Sequence, residues 1–287
     1  MIKRPLGNTG YIIAPVAYGG IVSMEDGQEA SDHYVSYAVE HGVNYFDVAP
    51  TYGDAEEKLG ASLVPYRKNI YLACKTEQRK RGASQKQLEE SFRLLKTDYF
   101  DNYQLHALSN EEDIETAFGP DGAMETLLRA KERGLTRKLG ITCHNEDIAL
   151  KALTLYPFDT VLFPLNWGLN LGKGFGSRIA KTAKEKGIGL LGMKTLIHRP
   201  WMDEEEQKAS RFSKSWCKPI SENEALGIAA VKYTLSLGAD AVVPPGDFES
   251  FSFVLAHMEE CLKNPLTDTD SAFLKEELKK IGGRYFL

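Results

Sequence analysis

The chain lacks the cysteine spacing of a metal or disulfide site. Cys74, Cys143, Cys217 and Cys261 lie far apart, and no CxxC occurs. This excludes an obvious zinc or iron-sulfur site and, in a reducing compartment, a disulfide framework, so four free thiols, mostly buried, are expected. No basic run is present and the formal charge is −5, which argues against a nucleic-acid partner or an anionic membrane surface. Long apolar runs are missing too. Residues 1–20 are broken by Gly and Pro and offer neither a signal-peptide core nor a spanning helix, so a cytoplasmic protein is expected. No linker-like or low-complexity stretch interrupts the chain, and one domain over residues 1–287 is assigned.

What is present is a repeat of strand then helix. Apolar runs fall at Pro15–Tyr18, Tyr45–Val48, Ile70–Cys74, Phe100–Leu105, Lys138–Thr142, Thr160–Leu165, Gly189–Met193 and Ala241–Val243. Each precedes a segment of helical periodicity: 29–42, 55–66, 84–96, 122–134, 145–156, 177–187, 223–238 and 249–260. Gly42, Gly134, Gly187 and Gly238 stand where a helix-ending glycine belongs, and Ser84, Asp121 and Ser221 where N-terminal caps belong. With 287 residues and 43% apolar content, eight such units predict parallel pairing and a closed α/β (β/α)8 TIM barrel. A doubly wound open sheet is the alternative, but no GxGxxG follows the first strand. Gly7–Gly10 between two short apolar stretches predicts an N-terminal β-hairpin, and 268–281 an extra C-terminal helix.

Chemistry gathers at the ends of successive strands. Asp47 ends the second, Tyr52 lies in the loop after it, Lys75 ends the third and His106 the fourth. In a (β/α)8 barrel these are the positions that face the catalytic mouth. A phenol of pKa near ~10 is a sluggish proton donor and acceptor, and a neighbouring ammonium lowers that value. A shift of about two units needs roughly 2.7 kcal/mol, within reach of one close cation at an effective dielectric of ~20. Burial tends to neutralise Lys75, so Asp47 is needed to keep it charged. An acid then holds an amine, the amine tunes a phenol, and an imidazole orients a substrate carbonyl.

The pattern Asp-x-Ala-x-x-Tyr-Gly-x-x-Glu-x-x-Leu-Gly is met at Asp47, Ala49, Tyr52, Gly53, Glu56, Leu59 and Gly60. With it the chain resembles the aldo-keto reductase family over essentially its whole length. The resemblance implies Tyr52, Asp47, Lys75 and His106 as the catalytic set. It further implies metal-free, NAD(P)(H)-dependent interconversion of a small-molecule carbonyl and its alcohol. It places cofactor contacts at Gly20, Ile21, Asp47, Thr142, Cys143, Met193, Lys194, Leu196, Gly246, Asp247 and Glu249. Relatives commonly hold the nicotinamide amide with Ser-Asn after strand five, a Gln on strand six and an aromatic on strand seven. Here those positions read Thr142-Cys143, Leu162 or Phe163, and Met193, so fewer amide contacts are available. Relatives preferring NADPH carry a basic residue after the last strand, whereas this chain reads Pro244-Pro245-Gly246-Asp247-Phe248-Glu249. Two acids there favour NADH over NADPH.

Other residues carry weaker signals. His144 stands between lining the pocket and merely preceding a helix, while His33, His41 and His257 read as helix-surface or cap residues. Gly168–Gly176 reads as a mobile loop, and Trp201, Phe212 and Trp216 as pins of a loop over 197–222 that covers the active face. The chain ends soon after 268–281; a pocket without the long C-terminal loop of many relatives, open to a sugar-like carbonyl, is expected. Two other readings stay open: a redox-inactive nucleotide-binding or regulatory barrel, and a lyase using Lys75 as a Schiff-base amine. Asp47 opposes the latter, because a Schiff-base lysine must be neutral.

Overall fold

The computed structural model describes residues 1–282 and 284. The chain opens with a hairpin of β1 (Arg4–Pro5) and β2 (Ile12–Ile13), then runs through β3 (Tyr18–Gly19), α1 (Gln28–Glu40), β4 (Tyr45–Asp47) and α2 (Ala55–Ser62). Next come β5 (Tyr71–Thr76), α3 (Arg81–Leu95), β6 (Phe100–Leu108), α4 (Glu111–Phe118), α5 (Ala123–Glu132), β7 (Thr136–Cys143) and α6 (Glu146–Leu155). β8 (Thr160–Pro164), α7 (Trp167–Lys173), α8 (Ser177–Lys186) and β9 (Gly189–Met193) follow. The last third holds β10 (Ile197–Arg199), α9 (Glu204–Ala209), β11 (Lys218–Pro219), α10 (Glu224–Ser236), β12 (Ala241–Val243), α11 (Phe248–Lys263) and α12 (Asp268–Lys280).

Eight parallel strands pair in the order β12-β9-β8-β7-β6-β5-β4-β3. A parallel bridge between Val16 and Val242 brings the two edges together, with Ala17 N donating to Val242 O at 2.9 Å and Val242 N to Pro15 O at 2.9 Å. Alternate residues of each strand point inward, as in any barrel. Ala17, Tyr45, Ala73, Leu162, Leu191, Ala241 and Val243 therefore form one interior cluster, plugged from below by Leu6, Tyr11 and Ile13 of the hairpin segment. The opposite faces of the strands pack on the helices in a second, larger cluster. No helix among the described residues is long and apolar enough to cross a membrane.

The expected strands, the hairpin and the C-terminal helix are all observed, and Gly42, Gly134, Gly187 and Gly238 each take positive φ just past a helix. The three expected caps are corrected. Lys80 rather than Ser84 precedes α3; Ser84 lies within the helix and donates to Thr126 Oγ1 at 2.7 Å. Gly122 precedes α5, and Asp121 accepts from Arg81 instead. Asn223, not Ser221, caps α10 by accepting from Leu226 N at 3.0 Å. The glycine-rich run is not a mobile loop either: Trp167–Lys173 is helical, because Asn166 caps it through Gly168 N and Leu169 N. Segment 197–222 is likewise structured, holding the β10–β11 ribbon and α9.

Gly60 shows how one motif glycine serves packing. α2 crosses α3 so closely that a Cβ at Gly60 would lie 1.9 Å from Leu94 O, a backbone atom that no rotamer change can move aside. Gly60→Ala is expected to destabilise the fold by about 1–3 kcal/mol, read as a lower urea midpoint at unchanged slope.

Candidate active site

The register of the sheet delivers the side chains. Asp47 pairs with Ala73, and Lys75 with Gln104, so inward-facing positions on three adjacent strands converge at the carboxyl end. A turn then returns Tyr52 over them, its N–H donating to Ala49 O at 3.0 Å before α2 begins. Lys75 is fully buried and spends its three protons on three acceptors. It forms an ion pair with Asp47 Oδ1, donates to Val48 O at 3.1 Å and donates to Tyr52 Oη at 3.3 Å. The other carboxylate oxygen of Asp47 accepts from Gln104 Nε2 at 2.8 Å. His106 stands against the far side of Tyr52, ring centroids 5.8 Å apart and planes at 86°, with Nδ1 3.5 Å from Thr51 Oγ1.

Burial works against the charge on Lys75, yet attraction to Asp47 and to the Tyr52 oxygen more than offsets it, and the ammonium holds its proton more tightly than an ordinary lysine. For Tyr52 the balance runs against the expectation from sequence. Burial raises its pKa more than Lys75 lowers it, and Asp47 adds to the rise, so the phenol remains protonated. Burial, then Lys75, His144 and Arg79, push the His106 imidazole down to about 2; it is neutral. The arrangement can thus offer a substrate oxygen one phenolic proton and one neutral imidazole edge.

Above these groups a cleft opens at the carboxyl end of the barrel. Of the residues for which cofactor contacts are expected, Ile21, Asp47, Met193, Lys194 and Gly246 line it. Six other expected contacts do not reach its wall. Gly20 sits in a tight turn against Val48, where a Cβ would be 2.8 Å from Val48 Cγ2. Thr142 Oγ1 is engaged by Ala107 N at 2.7 Å. Cys143 Sγ turns outward to Leu108 O at 2.8 Å and Asn145 O at 2.9 Å. Leu196 is buried beneath the cleft, its carbonyl accepting from Ile220 N at 2.7 Å. Asp247 caps α11, with Oδ1 accepting from Ser250 N at 2.6 Å, and Glu249 pairs with Arg211 at 2.8 Å.

His144 takes the wall position expected for Thr142-Cys143, and burial, then Lys194, lower its pKa to about 4. Trp216, Lys214 and Cys217 line the opposite side. Of the expected loop pins, Trp201 donates to Ser215 O at 2.8 Å and Phe212 is buried. Trp216 instead stands 55% exposed, 6.1 Å from the Tyr52 ring. Lys214 crosses to the segment after β3, donating to Val22 O at 3.2 Å and Met24 O at 3.1 Å and pairing with Asp26. Gln104 is the site residue that the strand pattern could have supplied. Asn102, Gln104 and His106 alternate on one strand face, which puts a hydrogen-bonding amide one step below the imidazole.

The residues fit the dinucleotide that the resemblance implies. Ile21, Met193 and Val243 offer an apolar wall beside Tyr52, and Lys194 adds a cation. Gly246 permits the turn after β12 to pack on Ile21, where a Cβ would meet Cγ2 at 2.1 Å. That turn leads directly into the N-terminus of the 16-residue α11, a suitable seat for phosphate or ribose oxygens.

The profile of the Aldo/keto reductase family matches residues 18–240. Over 265 residues the chain is 28% identical to L-galactose dehydrogenase of Arabidopsis thaliana, covering 81% of this chain and 80% of that protein. It is 28% identical over 164 residues to 6-dehydroglucose reductase of Novosphingobium aromaticivorans, about half of each chain (50% and 52%). Among solved structures, the holo form of an aldo-keto reductase from Bacillus halodurans superposes with a TM-score of 0.72 at 18% identity, over 96% of each chain. Since the family profile spans most of the barrel, this chain belongs to the aldo/keto reductase family and is an oxidoreductase that interconverts carbonyls and alcohols with a nicotinamide cofactor, NAD(P)(H).

Proposed function

We propose that Tyr52 is the proton donor for reduction of a sugar-like carbonyl, with Lys75 and Asp47 tuning it and His106 orienting the substrate oxygen. The observation that carries this reading is the unbroken chain from Asp47 through Lys75 to Tyr52, whose three members are each more than nine-tenths buried. The bound cofactor supplies the hydride. Tyr52 places its proton on the developing alkoxide, Lys75 stabilises the phenolate left behind, and Asp47 keeps Lys75 charged. His106, being neutral, donates or accepts a hydrogen bond without adding charge. A mouth that offers His144 and Trp216 to a substrate supports a polyhydroxylated one, and two sugar-directed relatives point the same way. A panel of aldoses, ketoses and simple aldehydes decides it: turnover of apolar aldehydes alone would remove the sugar assignment. Four buried, unbridged cysteines support a cytoplasmic setting.

We further propose NADH over NADPH. Glu249 is already neutralised by Arg211, which leaves Asp247 as the acid that counts; its Oδ2 is buried without a partner. Its charge, set behind the cleft wall at the N-terminus of α11, would repel a 2'-phosphate seated there, and burial raises its pKa to about 6. The cost to NADPH should be about 1–2 kcal/mol, roughly tenfold in Kd. Asp247→Arg is expected to narrow or reverse the gap in side-by-side fluorescence titrations of the two reduced cofactors at low and physiological salt. Tighter NADPH binding by the unaltered protein would assign the phosphate to a basic group such as Arg211.

A further inference from the structure

We infer that Arg79 is a positioning residue for His106, and that the strained backbone just beyond the imidazole depends on it. The inference rests on the reading of His106 as the group that orients the carbonyl.

β6 does not leave the barrel regularly. Its pairing with β7 shifts between Leu105 and Leu108, and Ala107 takes φ 51, a left-handed conformation that a residue with a Cβ adopts at a cost. Such a conformation persists only where its surroundings enforce it. Here the peptide groups around Ala107 are held from two sides. Ala107 N donates to Thr142 Oγ1 at 2.7 Å. The carbonyls of His106 and Ala107 both accept from one terminal nitrogen of Arg79, at 2.8 and 3.1 Å.

The guanidinium is itself fixed on its remaining edges. Its Nε donates to Asp113 Oδ1 at 2.8 Å and its other terminal nitrogen to Glu77 O at 2.9 Å. Asp113 Oδ2 in turn accepts from Ser109 N and Ser109 Oγ, each at 2.8 Å. Arg79 therefore ties three pieces together: the exit of β5 four residues beyond Lys75, the bulge that aims His106, and the first turn of α4. The planar fork of donors is what makes one side chain sufficient; a lysine offers a point charge without that geometry. Its positive charge also joins burial and Lys75 in keeping the imidazole neutral.

The test is a double-mutant cycle between positions 79 and 106, with cofactor affinity and thermal midpoint measured on every variant. Arg79→Met is expected to lower kcat by about 10- to 100-fold while the Kd for reduced cofactor changes little, and Arg79→Lys should recover only a small part. In a His106→Ala background, Arg79→Met should add almost nothing, because the group it positions is gone. Asp113→Asn, which leaves the guanidinium but loosens its anchor, should give a smaller loss of the same kind and covers the case in which Arg79→Met does not fold. If His106→Ala lowers kcat but the position 79 loss is additive with it, or if kcat is unchanged while only the midpoint falls, Arg79 is merely structural and the inference fails. If His106→Ala itself leaves kcat intact, the underlying role of His106 fails instead.

Discussion

Replacing Tyr52 by Phe is expected to lower kcat by about 10²- to 10⁴-fold while cofactor binding remains nearly as tight. The ring stays in place beside His106 and Trp216, and Lys75 keeps its bonds to Asp47 and Val48 O, so only the acid is removed. The pH profile of the unaltered enzyme follows from the same site. Because burial raises the phenol's pKa beyond what Lys75 takes back, Tyr52 stays protonated through the neutral range. Carbonyl reduction should hold its rate there and decline only above the ordinary phenol value. His106, depressed to about 2, contributes no acidic limb near neutrality. Single-turnover rates on both proteins check the first claim, and a substantial residual rate in Tyr52→Phe would move the proton donor to His106.

Lys75→Met should act on stability as well as chemistry. Removing the ammonium leaves the Asp47 carboxylate, 2% exposed, with Gln104 as its remaining side-chain donor, and an uncompensated buried charge costs about 3–5 kcal/mol. The remaining activity in alcohol oxidation should shift its optimum to higher pH, since the group that lowers the phenol's pKa is gone and the burial that raises it stays. Adding Asp47→Asn to Lys75→Met removes the stranded charge and should restore much of the stability but none of the rate. Urea unfolding and pH-rate profiles of the single and double variants distinguish the two effects. A single variant as stable as the unaltered protein with an unchanged profile would detach Lys75 from both roles.

Much of the barrel was legible because strand and helix periods alternate without interruption, and because Asp47, Tyr52, Lys75 and His106 each fall at a strand exit. Four things were not. Cap identity depends on where the first turn closes, so Lys80, Gly122 and Asn223 displaced Ser84, Asp121 and Ser221 by one to four positions. The wall after β7 went to His144 because Thr142 and Cys143 are both spent on the irregular exit of β6, which has no signature in the strand pattern. The net shift of Tyr52 is not legible because the neighbouring charge is visible in sequence whereas the depth of burial is not. The acids after β12 stand as a pair in sequence, but the partner of Glu249 comes from a residue 38 positions away.

Trp216 also makes the cleft optically observable. Of the three tryptophans in the chain, Trp167 is fully buried and Trp201 is fixed by its bond to Ser215. Trp216 is the one that stands half in water at the mouth. A ligand that slides between it and Tyr52 strips that water away, so its emission should shift to the blue. Transfer of its excitation to a reduced nicotinamide would quench it. Entry of substrate and entry of cofactor thus carry different spectral signs, and their order can be followed in a stopped-flow fluorimeter on the unlabelled protein.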